Sequence, residues 1–378
     1  MTDFTYRQRR LDEAMATAGA WPTSAPWVRP AMAALPRHQW APDRLWQWNG
    51  HAYAPVDSTT EPGRWADLVY AGPYDAAVTQ VADGRPASSL SCPSVVADML
   101  AAADLHPGQR VLELGAGTGW NAALIAHRVG AGRVVTVEVD QDLAAAAQAR
   151  LDAAGARVGV RCGDGADGWA DGGPYDRVIA TYAVDTVPWP WVAQCRPSGR
   201  LVVPWGRLGH VVLTVAPDGR LATGRVAGLA QFMAAREVPP ARSYADVRGD
   251  TPAEDEQPFR DLTELHTDWH LRFAVRVALP DVHLRTAVDD DGANAWLHDD
   301  TGSWAAVNAV GDGTTVAYQG GPRRLAAELA TAWDEWAALD RPSLYDWGLT
   351  VTAASQTVWC RTPDTAPAWA QQREPAAR

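Results

Sequence analysis

The sequence lacks the cysteine pairs and long apolar runs that mark several large classes of protein. Its four cysteines are widely separated and contain no Cys-x-x-Cys pair, which argues against a zinc knuckle and a disulfide framework; they are Cys92, Cys162, Cys195 and Cys360. No run of about 18 apolar residues is present, so the sequence predicts no membrane-spanning helix. We expect reduced cysteines and no metal site built on them.

Basic side chains are also fewer than acidic ones. There are 33 of them against 45 acidic ones, a net charge of −12. A protein of this sign repels a phosphate backbone, so a nucleic-acid partner is not expected. Residues 1–20 carry charges where a signal peptide needs an apolar stretch. We therefore expect a cytoplasmic protein, monomeric, that binds neither nucleic acid nor membranes.

The remaining composition is that of a globular protein. Hydrophobic residues make up 47% of the chain and charged residues 21%, close to the usual values of roughly 45–50% and about 25%. A length of 378 residues favours two domains. The 19 tryptophans fit either core packing or grooves that hold peptides, and packing is favoured for any single one.

Strand-like and helix-like runs alternate between Arg110 and Val215, as in a parallel sheet with crossover helices. The predicted strands are short and rich in β-branched residues: Arg110–Leu114, Arg133–Val139, Arg157–Cys162, Tyr175–Thr181 and Arg200–Pro204. The predicted helices include Asn121–Val129 and Asp142–Ala154. The sequence therefore predicts an α/β fold with a Rossmann-like, doubly wound sheet.

The composition changes after Arg236. Residues 238–259 are rich in Pro and Asp without hydrophobic periodicity, which predicts a linker or long loop. Beyond them, Trp269–Leu279 alternates like a half-buried strand, and turns are predicted at residues 289–292 and 299–302. Pro322–Leu339 predicts an amphipathic helix with Pro in its first turn, and Leu349–Trp359 predicts one or two strands. We divide the chain into an N-terminal helical and loop segment (residues 1–87), the α/β core (88–236) and a C-terminal α+β extension (237–378).

The sharpest local signal is VLELGAGTG at residues 111–119, where an apolar strand leads into three alternate glycines and then a helix. Glycine lets the backbone approach a ligand and adopt a positive φ, and the start of a helix offers free N–H groups. A dinucleotide fingerprint, G-x-G-x-x-G, needs its third glycine where Trp120 stands. A nicotinamide cofactor is therefore disfavoured.

Acidic residues accompany three successive predicted strands. Glu113 places a carboxylate at the mouth of the first strand, which attracts the ammonium group of S-adenosylmethionine and repels a pyrophosphate. Glu138 ends the second strand about 20 residues on, as expected for a carboxylate that accepts both ribose hydroxyls. Asp164, after the third strand, is placed to accept from an adenine amino group. Together they predict S-adenosylmethionine as the cofactor.

Glu138 and Asp164 each have a second interpretation. Carboxylates at strand ends commonly cap helices or form turns. Open α/β sheets, however, bind ligands at the carboxyl ends of their strands, where the glycine turn and both carboxylates are predicted to lie. The combination favours the cofactor interpretation.

Taken in order, these motifs resemble those of the protein-L-isoaspartate (D-aspartate) O-methyltransferase family. The similarity runs from Pro30 to Arg236, just over half of the chain, and its segments are LPRHQWAP (35–42), SLSCP (89–93), VLELGAGTGW (111–120), Val137–Glu138, GDG (163–165), YDRVI (175–179) and GRLVVPWG (199–206). The resemblance implies a class I S-adenosylmethionine-dependent methyltransferase whose active-site residue is Ser91. The cofactor-binding residues we expect, with Glu113, are Ser89, Gly115, Gly117, Thr118, Gly119, Glu138, Val139, Asp164 and Gly165.

Ser91 has two compatible interpretations. The resemblance implies that it orients the methyl acceptor, whereas its position also suits the N-cap of a helix beginning at Pro93 or Ser94. An aspartyl carboxylate, with a pKa near about 3.9, is already ionised at neutral pH, so the reaction needs no base. Alignment with the sulfonium and exclusion of water would then supply the acceleration.

The chain departs from the family pattern at Ser89, where Thr is usual, at Trp120, where Tyr is common, and throughout the extension. The extended relatives that it resembles act in the biosynthesis of ribosomally made, modified peptides such as graspetides and lanthipeptides. There an Asp methyl ester closes to an aspartimide, which can open to isoaspartate. We expect a macrocyclised peptide of this kind as the acceptor. The alternatives are an isoaspartyl repair enzyme, a small-molecule O-methyltransferase and a non-catalytic peptide-binding module.

Three further patterns have both a structural and a functional interpretation. His266, Asp268 and His270 lie on one face of a predicted strand, but no second ligand pair accompanies them, and we expect no metal. Pro188–Trp191 fits either an aromatic wall beside the acceptor or packing. In the extension, the tryptophans that fit either stacking on the peptide or the core are Trp269, Trp296 and Trp304.

Overall fold

The computed structural model of the protein describes residues 3–206, 208–236 and 241–364. Within these ranges the chain forms two compact units. The first comprises the residues up to Arg236 together with Thr350–Gln356, and the second comprises residues 241–349 and 357–364.

The α-helices of the described residues are α1 (Phe4–Thr17), α2 (Val28–Ala34), α3 (Pro62–Val69), α4 (Pro93–Ala102), α5 (Trp120–Val129), α6 (Gln141–Ala153), α7 (Trp189–Ala193), α8 (Tyr244–Arg248), α9 (Thr263–Thr267), α10 (Trp269–Ala278) and α11 (Leu325–Ala338). Short 3-10 helices span Arg37–Gln39, Gly165–Asp167, Ala170–Gly172 and Leu344–Asp346.

The strands of the described residues are β1 (Arg44–Trp48), β2 (Tyr53–Asp57), β3 (Ala77–Ala82), β4 (Arg85–Leu90), β5 (Val111–Leu114), β6 (Val134–Glu138), β7 (Val158–Cys162), β8 (Tyr175–Ala180), β9 (Cys195–Trp205), β10 (Gly209–Val215), β11 (Leu221–Leu229), β12 (Asp255–Phe259), β13 (His283–Asp289), β14 (Gly292–His298), β15 (Trp304–Ala309), β16 (Thr315–Gly320), β17 (Trp347–Thr352) and β18 (Gln356–Cys360).

A nine-stranded sheet carries the predicted core, in the order β18-β17-β11-β10-β9-β8-β5-β6-β7. The strand β5 pairs in parallel with β6 and β8, and the parallel pairing continues to β7 and β9. The strand order reverses between β5 and β8, because the chain builds outward to β7 before it returns to the other side of β5. Such a switch point is where doubly wound sheets bind ligands. The Rossmann-like, doubly wound sheet is thus confirmed, and two further sheets accompany it in the described residues.

The switch point is closely packed because its strands and helices are apolar on the faces that meet. All four residues of β5 are buried, and α6 turns Ala144, Ala147 and Leu151 toward the sheet. A Cβ at Gly119 would already lie 3.4 Å from the Ala147 carbonyl oxygen, so glycine lets the start of α5 sit against α6.

The N-terminal segment is richer in strands than predicted. It contains a four-stranded antiparallel sheet, β2-β1-β3-β4, in addition to helices, so the prediction of helices and loops alone for residues 1–87 is wrong. Its first hairpin turns at Asn49–Gly50, where the Asn49 side chain accepts from the N–H groups of His51 and Ala52. An Asn-Gly pair between alternating apolar residues is a strong hairpin signal, and here it was overlooked.

The second unit contains a five-stranded antiparallel sheet, β12-β16-β15-β14-β13. The predicted turns at residues 289–292 and 299–302 are confirmed, since they join β13 to β14 and β14 to β15. The helix predicted over Pro322–Leu339 is also present, but it begins at Leu325, so Pro322 precedes its first turn. The prediction of one or two strands within Leu349–Trp359 is confirmed with two strands, β17 and β18.

The strand predicted over Trp269–Leu279 is wrong, because these residues form α10. Asp268 caps the helix by accepting from the N–H groups of His270 and Leu271. Leu271, Ala274 and Val275 are buried at helical spacing. His266 and His270 consequently lie in two successive helices, and the one-face arrangement of the His266-Asp268-His270 pattern does not exist.

Among the residues that the structure describes, no helix combines the length and the apolar character that crossing a bilayer requires.

Candidate active site

The glycine turn joins the buried strand β5 to α5 at the switch point. Gly115, Gly117 and Gly119 all have positive φ, at 94°, 52° and 88°, which side chains other than glycine rarely adopt. A Cβ at Gly115 would collide with the Thr181 hydroxyl and lie 3.1 Å from the Tyr182 ring. The turn therefore presents bare backbone at the end of β5, as predicted.

Glu138 fixes this turn from the neighbouring strand. Its Oε2 accepts from the Gly117 N–H at 2.9 Å, and its Oε1 accepts from the Asp140 N–H at 3.2 Å. The residue is 6% exposed. Each carboxylate oxygen can accept a second hydrogen bond, so Glu138 can brace the turn and still accept ribose hydroxyls.

Asp164 stands at the end of β7 and caps the 3-10 helix Gly165–Asp167. Its Oδ1 accepts from the Ala166 N–H at 2.7 Å. The capping interpretation is therefore confirmed, and the half-buried carboxylate retains acceptor capacity for a ligand. Val139, directly after Glu138, is 43% exposed and offers an apolar surface at the same edge.

Glu113 does not reach the edge of the sheet. It has no exposed surface, and its oxygens accept from Asn121 Nδ2 at 2.8 Å and from Thr136 Oγ1 at 2.5 Å. Burial, with a smaller contribution from the charge of Glu138, raises the pKa of Glu113 to about 7, against the lowering effect of its hydrogen bonds. A group without accessible surface cannot touch a bound cofactor. The predicted contact of Glu113 with the ammonium group is wrong, and Glu113 instead ties β5 to β6 and α5.

Thr118 and Gly119 complete the turn from inside. Thr118 is buried, and its hydroxyl oxygen lies 3.4 Å from the donating Trp120 N–H. Gly119 is the N-cap of α5. Both residues therefore shape the backbone of the turn.

The segment Ser88–Ser91 runs from β4 toward α4 beside the glycine turn. A Cβ at Gly117 would lie 3.9 Å from the Ser88 hydroxyl oxygen and 4.0 Å from the Ser89 carbonyl oxygen. Ser91 is half-buried, and its carbonyl accepts from Arg37 Nη1 at 2.7 Å. The structure thus brings the Ser88–Ser91 segment, which carries the predicted acceptor-orienting Ser91 and is called the acceptor segment below, to the predicted cofactor turn.

Ser91 is not the cap of α4. The N-cap position belongs to Cys92, and no side chain there accepts from the first turn of the helix. The capping interpretation of Ser91 is wrong, because the helix begins one residue later than that role requires. The Ser91 hydroxyl is therefore left for another role.

Thr181 and Tyr182, at the end of β8, were not predicted. Thr181 Oγ1 donates to the Gly115 carbonyl at 2.7 Å. The Tyr182 ring lies between Gly115 and Gly165, since a Cβ added to either glycine would meet it. The signal that could have found them is their position directly after the strand that neighbours β5 at the switch point.

Trp191 of the Pro188–Trp191 pattern is a packing residue. It has no exposed surface, its indole N–H donates to the Gly165 carbonyl at 2.8 Å, and its ring meets Tyr182 edge-on at 6.1 Å. The packing interpretation is thus confirmed for Trp191, and the alternative of an aromatic wall is not. Trp191 packs against Gly165 and Tyr182.

A further hydrogen-bonded cluster, Gln80–Asp140–Arg236, was also missed. Gln80 Nε2 and Arg236 Nη1 both donate to Asp140 Oδ2, at 3.2 and 2.8 Å, and Arg236 Nη2 donates to Gln80 Oε1. Asp140 caps α6 and lies two residues after Glu138. The cluster therefore joins the β3–β4 hairpin to the β6 edge of the site, and residues so distant in sequence leave no local pattern.

Comparison with known proteins agrees with this geometry. The family model for protein-L-isoaspartate(D-aspartate) O-methyltransferase (PCMT) matches residues 23–220. The chain is 38% identical over 194 residues to the protein-L-isoaspartate O-methyltransferase of Methylorubrum extorquens, covering 51% of this chain and 72% of that protein. It is 34% identical over 205 residues to the protein of that name from a Picosynechococcus species, covering 54% and 78%.

Among solved structures, a protein-L-isoaspartate O-methyltransferase aligns with 94% of this chain and 100% of its own, at a TM-score of 0.49 and 20% identity. A Plasmodium falciparum protein described as a putative protein-L-isoaspartate O-methyltransferase, in complex with S-adenosyl-L-homocysteine, aligns with 60% of this chain and 97% of its own, at a TM-score of 0.44 and 14% identity. The family match covers the glycine turn, Glu138, Asp164 and the Ser88–Ser91 segment. The chain therefore belongs to the protein-L-isoaspartate (D-aspartate) O-methyltransferase family, whose members are protein carboxyl methyltransferases.

Proposed function

We propose that this protein transfers a methyl group from S-adenosylmethionine to an aspartyl or isoaspartyl carboxylate of a peptide or protein. The observation that carries the proposal is the hydrogen bond from Gly117 to Glu138, beside the Ser88–Ser91 segment. This arrangement supports the proposal because the bare backbone turn, the Glu138 carboxylate and the Ser88–Ser91 segment lie together at the switch point, where doubly wound sheets bind ligands.

The described residues fit S-adenosylmethionine, which supplies a sulfonium methyl group as the electrophile when bound. The positive φ angles of Gly115 and Gly117 keep the turn free of side chains. Glu138 would accept ribose hydroxyls, Asp164 would accept from the adenine amino group, and Val139 would offer an apolar surface to the adenine ring. Thr118 and Gly119 hold the turn, while Ser89 and Gly165 line it with backbone.

The chain's part in the reaction is positioning. The acceptor carboxylate is ionised at neutral pH because its pKa is near about 3.9, so no side chain has to remove a proton. The Ser91 hydroxyl would donate to one carboxylate oxygen and leave the other free to accept the methyl group, with S-adenosylhomocysteine as the leaving group. Holding the two reactants in line converts a bimolecular step into a unimolecular one.

The more specific proposal is that the acceptor is an Asp in a macrocyclised, ribosomally made peptide. After methylation, the following backbone nitrogen attacks the ester carbonyl carbon, the C–O bond to the methoxy group breaks, and the nitrogen's proton leaves with it as methanol. An aspartimide remains, which water can open to isoaspartate. No proton acceptor on the enzyme is required for this second step.

The extension supports this specialised substrate. The family model ends at residue 220, and residues 241–349 and 357–364 form a compact unit of their own. Residues 1–236 contain 22 acidic and 21 arginine side chains, whereas residues 237–378 contain 23 acidic and 12 arginine side chains. The extension thus carries nearly all of the net charge, which disfavours acidic peptides and favours neutral or basic ones.

The tryptophans of the extension do not contribute equally to this proposal. Trp304 is 1% exposed, so it belongs to the core and cannot stack on a peptide in this conformation. Trp296 is half-buried in β14. Trp269, at the start of α10, is 46% exposed with Arg272 over its ring, which makes it the better candidate for a peptide contact.

A general repair function for isoaspartyl damage is the second candidate, and the names of the relatives favour it. A repair enzyme must accept many flexible segments, whereas a biosynthetic enzyme gains specificity from a substrate whose conformational entropy is already lost. The two candidates therefore differ in selectivity rather than in chemistry.

Mass spectrometry of the full-length protein with constrained precursor peptides and with short linear isoaspartyl peptides separates these candidates. We expect methylation of one Asp in a constrained peptide, followed by loss of methanol, and little reaction of the linear set. Equal methylation of both sets would replace the specialised proposal with the repair function. The full chain is needed, because β17 and β18 belong to the core sheet and Gln356 hydrogen-bonds to Val187 and Asp185.

A further inference from the structure

Arg37 is a buried cation that the proposed chemistry leaves unexplained. It is 3% exposed and stands in the 3-10 helix Arg37–Gln39. Three of its nitrogens donate to backbone carbonyls: Nε to Val69 at 2.9 Å, Nη1 to Ser91 at 2.7 Å and Nη2 to Leu90 at 3.3 Å. Two of these three carbonyls belong to the predicted acceptor segment.

The same guanidinium also touches the cofactor side of the site. Its central carbon lies 4.9 Å from the centre of the Trp120 ring. Trp120 is the first residue of α5, directly after the glycine turn, and its indole N–H donates to the Leu35 carbonyl at 2.8 Å. Arg37 therefore lies between the start of α5 and the segment that carries Ser91.

The charge of Arg37 is not neutralised. Among the described residues, no carboxylate lies within ion-pair distance of it; its neighbours are carbonyl oxygens and an aromatic face. Burial lowers the pKa of Arg37 to about 10, with smaller opposing effects from Cys92 and Tyr70, so the side chain stays charged at neutral pH. Burying an unpaired cation is unfavourable, and a neutral amide could donate to carbonyls without that penalty.

We propose that Arg37 is a positioning residue for the methyl acceptor, which fixes the Leu90 and Ser91 carbonyls and supplies the positive charge that draws an anionic carboxylate to the Ser91 hydroxyl. The proposal rests on the proposed carboxylate methylation. It also accounts for the missing counter-ion, because the anionic partner of Arg37 is then the substrate.

The proposal predicts a particular division between binding and turnover. The acceptor is an anion before the transfer and becomes a neutral ester, so a nearby cation stabilises the bound substrate more than the transition state. Removing the charge should therefore raise KM for the acceptor without lowering kcat. A purely structural role would impair binding of charged and neutral ligands alike.

The test compares an aspartyl acceptor peptide with its Asn analogue, which has no charge at the acceptor position, for binding to wild-type protein, Arg37→Gln and Arg37→Lys. We expect the wild type to bind the Asp peptide about tenfold more tightly than the Asn analogue, the worth of one charge-assisted interaction. Arg37→Gln should bring the two affinities to within about twofold, and Arg37→Lys should restore most of the difference. If Arg37→Gln keeps the wild-type ratio of affinities for the Asp peptide and its Asn analogue, the proposal is overturned.

A matched control is available in Arg128, which also donates to a carbonyl, that of Leu105 at 2.8 Å, and stacks on a tryptophan, Trp27. Arg128→Gln should keep the wild-type ratio, because no part of the acceptor segment contacts it. A loss of the ratio in Arg128→Gln as large as in Arg37→Gln would show a general effect of removing arginine and would overturn the assignment to Arg37.

Hydrogen exchange separates failure of this proposal from failure of the proposed function, since it needs no acceptor. In Arg37→Gln we expect exchange of the amides from Ser88 to Cys92 to quicken at least about tenfold, with the affinity for S-adenosylhomocysteine within about threefold of wild type. Wild-type protection of this segment in Arg37→Gln overturns the positioning role, whether or not any peptide is methylated.

Discussion

At the scale of the residue, two glutamates on adjacent strands have different environments and different structural roles. Glu138 is close to the surface and accepts from the backbone of the glycine turn. Glu113 is fully buried next to that turn and accepts hydrogen bonds from two side chains. From the sequence both were predicted to touch the cofactor. The pattern shows that each residue lies near the end of a strand, but it does not show how deeply the side chain is buried.

The buried Glu113 predicts a pH-dependent stability. Its pKa is about 7 in the folded protein and 4.5 in the unfolded chain, so the folded state binds the proton more tightly between these values. The contribution of Glu113 to the free energy of unfolding is therefore fully present below pH 4.5 and is lost as pH rises through 7. Glu113→Gln should remove this loss and be the more stable protein at pH 8, by up to about 3 kcal/mol.

Urea unfolding of Glu113→Gln and wild type between pH 4.5 and pH 8 measures this effect. Glu61, which is only partly buried, serves in Glu61→Gln as a control for the removal of one carboxylate. A difference between Glu113→Gln and wild type that stays constant with pH would contradict the raised pKa.

Ser91 predicts a loss of activity without a loss of stability. Since Cys92 rather than Ser91 is the N-cap of α4, Ser91→Ala should change Tm little. Since we propose that the hydroxyl orients the acceptor, kcat/KM should fall at least about tenfold, the worth of a hydrogen bond to a charged group. Thermal unfolding, calorimetry with S-adenosylhomocysteine and initial rates together test this.

The neighbouring Ser94→Ala is the matched control for Ser91→Ala, because Ser94 Oγ faces the Cys92 sulfur at 3.7 Å rather than the site. We expect it to keep wild-type turnover. Turnover of Ser91→Ala equal to that of wild type would leave the serine without a role in transfer.

At the scale of the element, the sequence predicted the parallel core best. The strands β5, β6, β7 and β8 were placed within one or two residues of their observed ends. Continuous apolar runs between glycine turns allow few alternatives when helices of suitable length separate them. The carboxyl-end location of the site followed from the same pattern.

The helix α10 shows where the sequence pattern fails. Leu271, Phe273 and Val275 alternate as in a half-buried strand, yet Ala274 between them is equally buried, which a strand with one exposed face does not allow. The deciding feature is the Asp268 cap. A local alternation cannot be distinguished from a helical stripe over a short run unless such a cap is weighed with it.

The Gln80–Asp140–Arg236 cluster predicts a link between the β3–β4 hairpin and cofactor affinity. Arg236→Gln should free the hairpin from the β6 edge, because the bond to Asp140 at 2.8 Å and the bond to Gln80 are lost. The pair is partly exposed, so we expect the affinity for S-adenosylhomocysteine to weaken only about two- to fivefold. Calorimetry measures the change.

Arg64 gives the control for Arg236, since it binds Gln47 and Glu61 in the same unit with similar geometry. Arg64→Gln should leave the affinity for S-adenosylhomocysteine unchanged. If Arg236→Gln binds as tightly as wild type, the cluster does not hold the hairpin for the cofactor.

At the scale of the whole molecule, function divides along the chain. The family match, the glycine turn and the acceptor segment all precede residue 237, whereas nearly all of the net negative charge follows it. No residue of the extension is required to explain cofactor binding or carboxylate alignment. We therefore propose that the extension determines substrate choice, and that choice could not be predicted from motifs because the family motifs all lie before residue 237.

Base-labile methyl transfer tests the central claim most directly. Full-length protein is incubated with methyl-labelled S-adenosylmethionine and aspartyl or isoaspartyl peptides, and the product is then exposed to mild alkali. A carboxyl methyl ester releases its label as methanol, whereas methyl groups on nitrogen or carbon do not. Gly117→Arg fills the turn at a φ of 52°, while Gly63→Arg, where a side chain meets open space, is the matched control. We expect base-labile label with wild type and Gly63→Arg and none with a folded Gly117→Arg. Label that resists alkali, or that persists in Gly117→Arg, would show that the protein does not methylate carboxylates at the glycine turn.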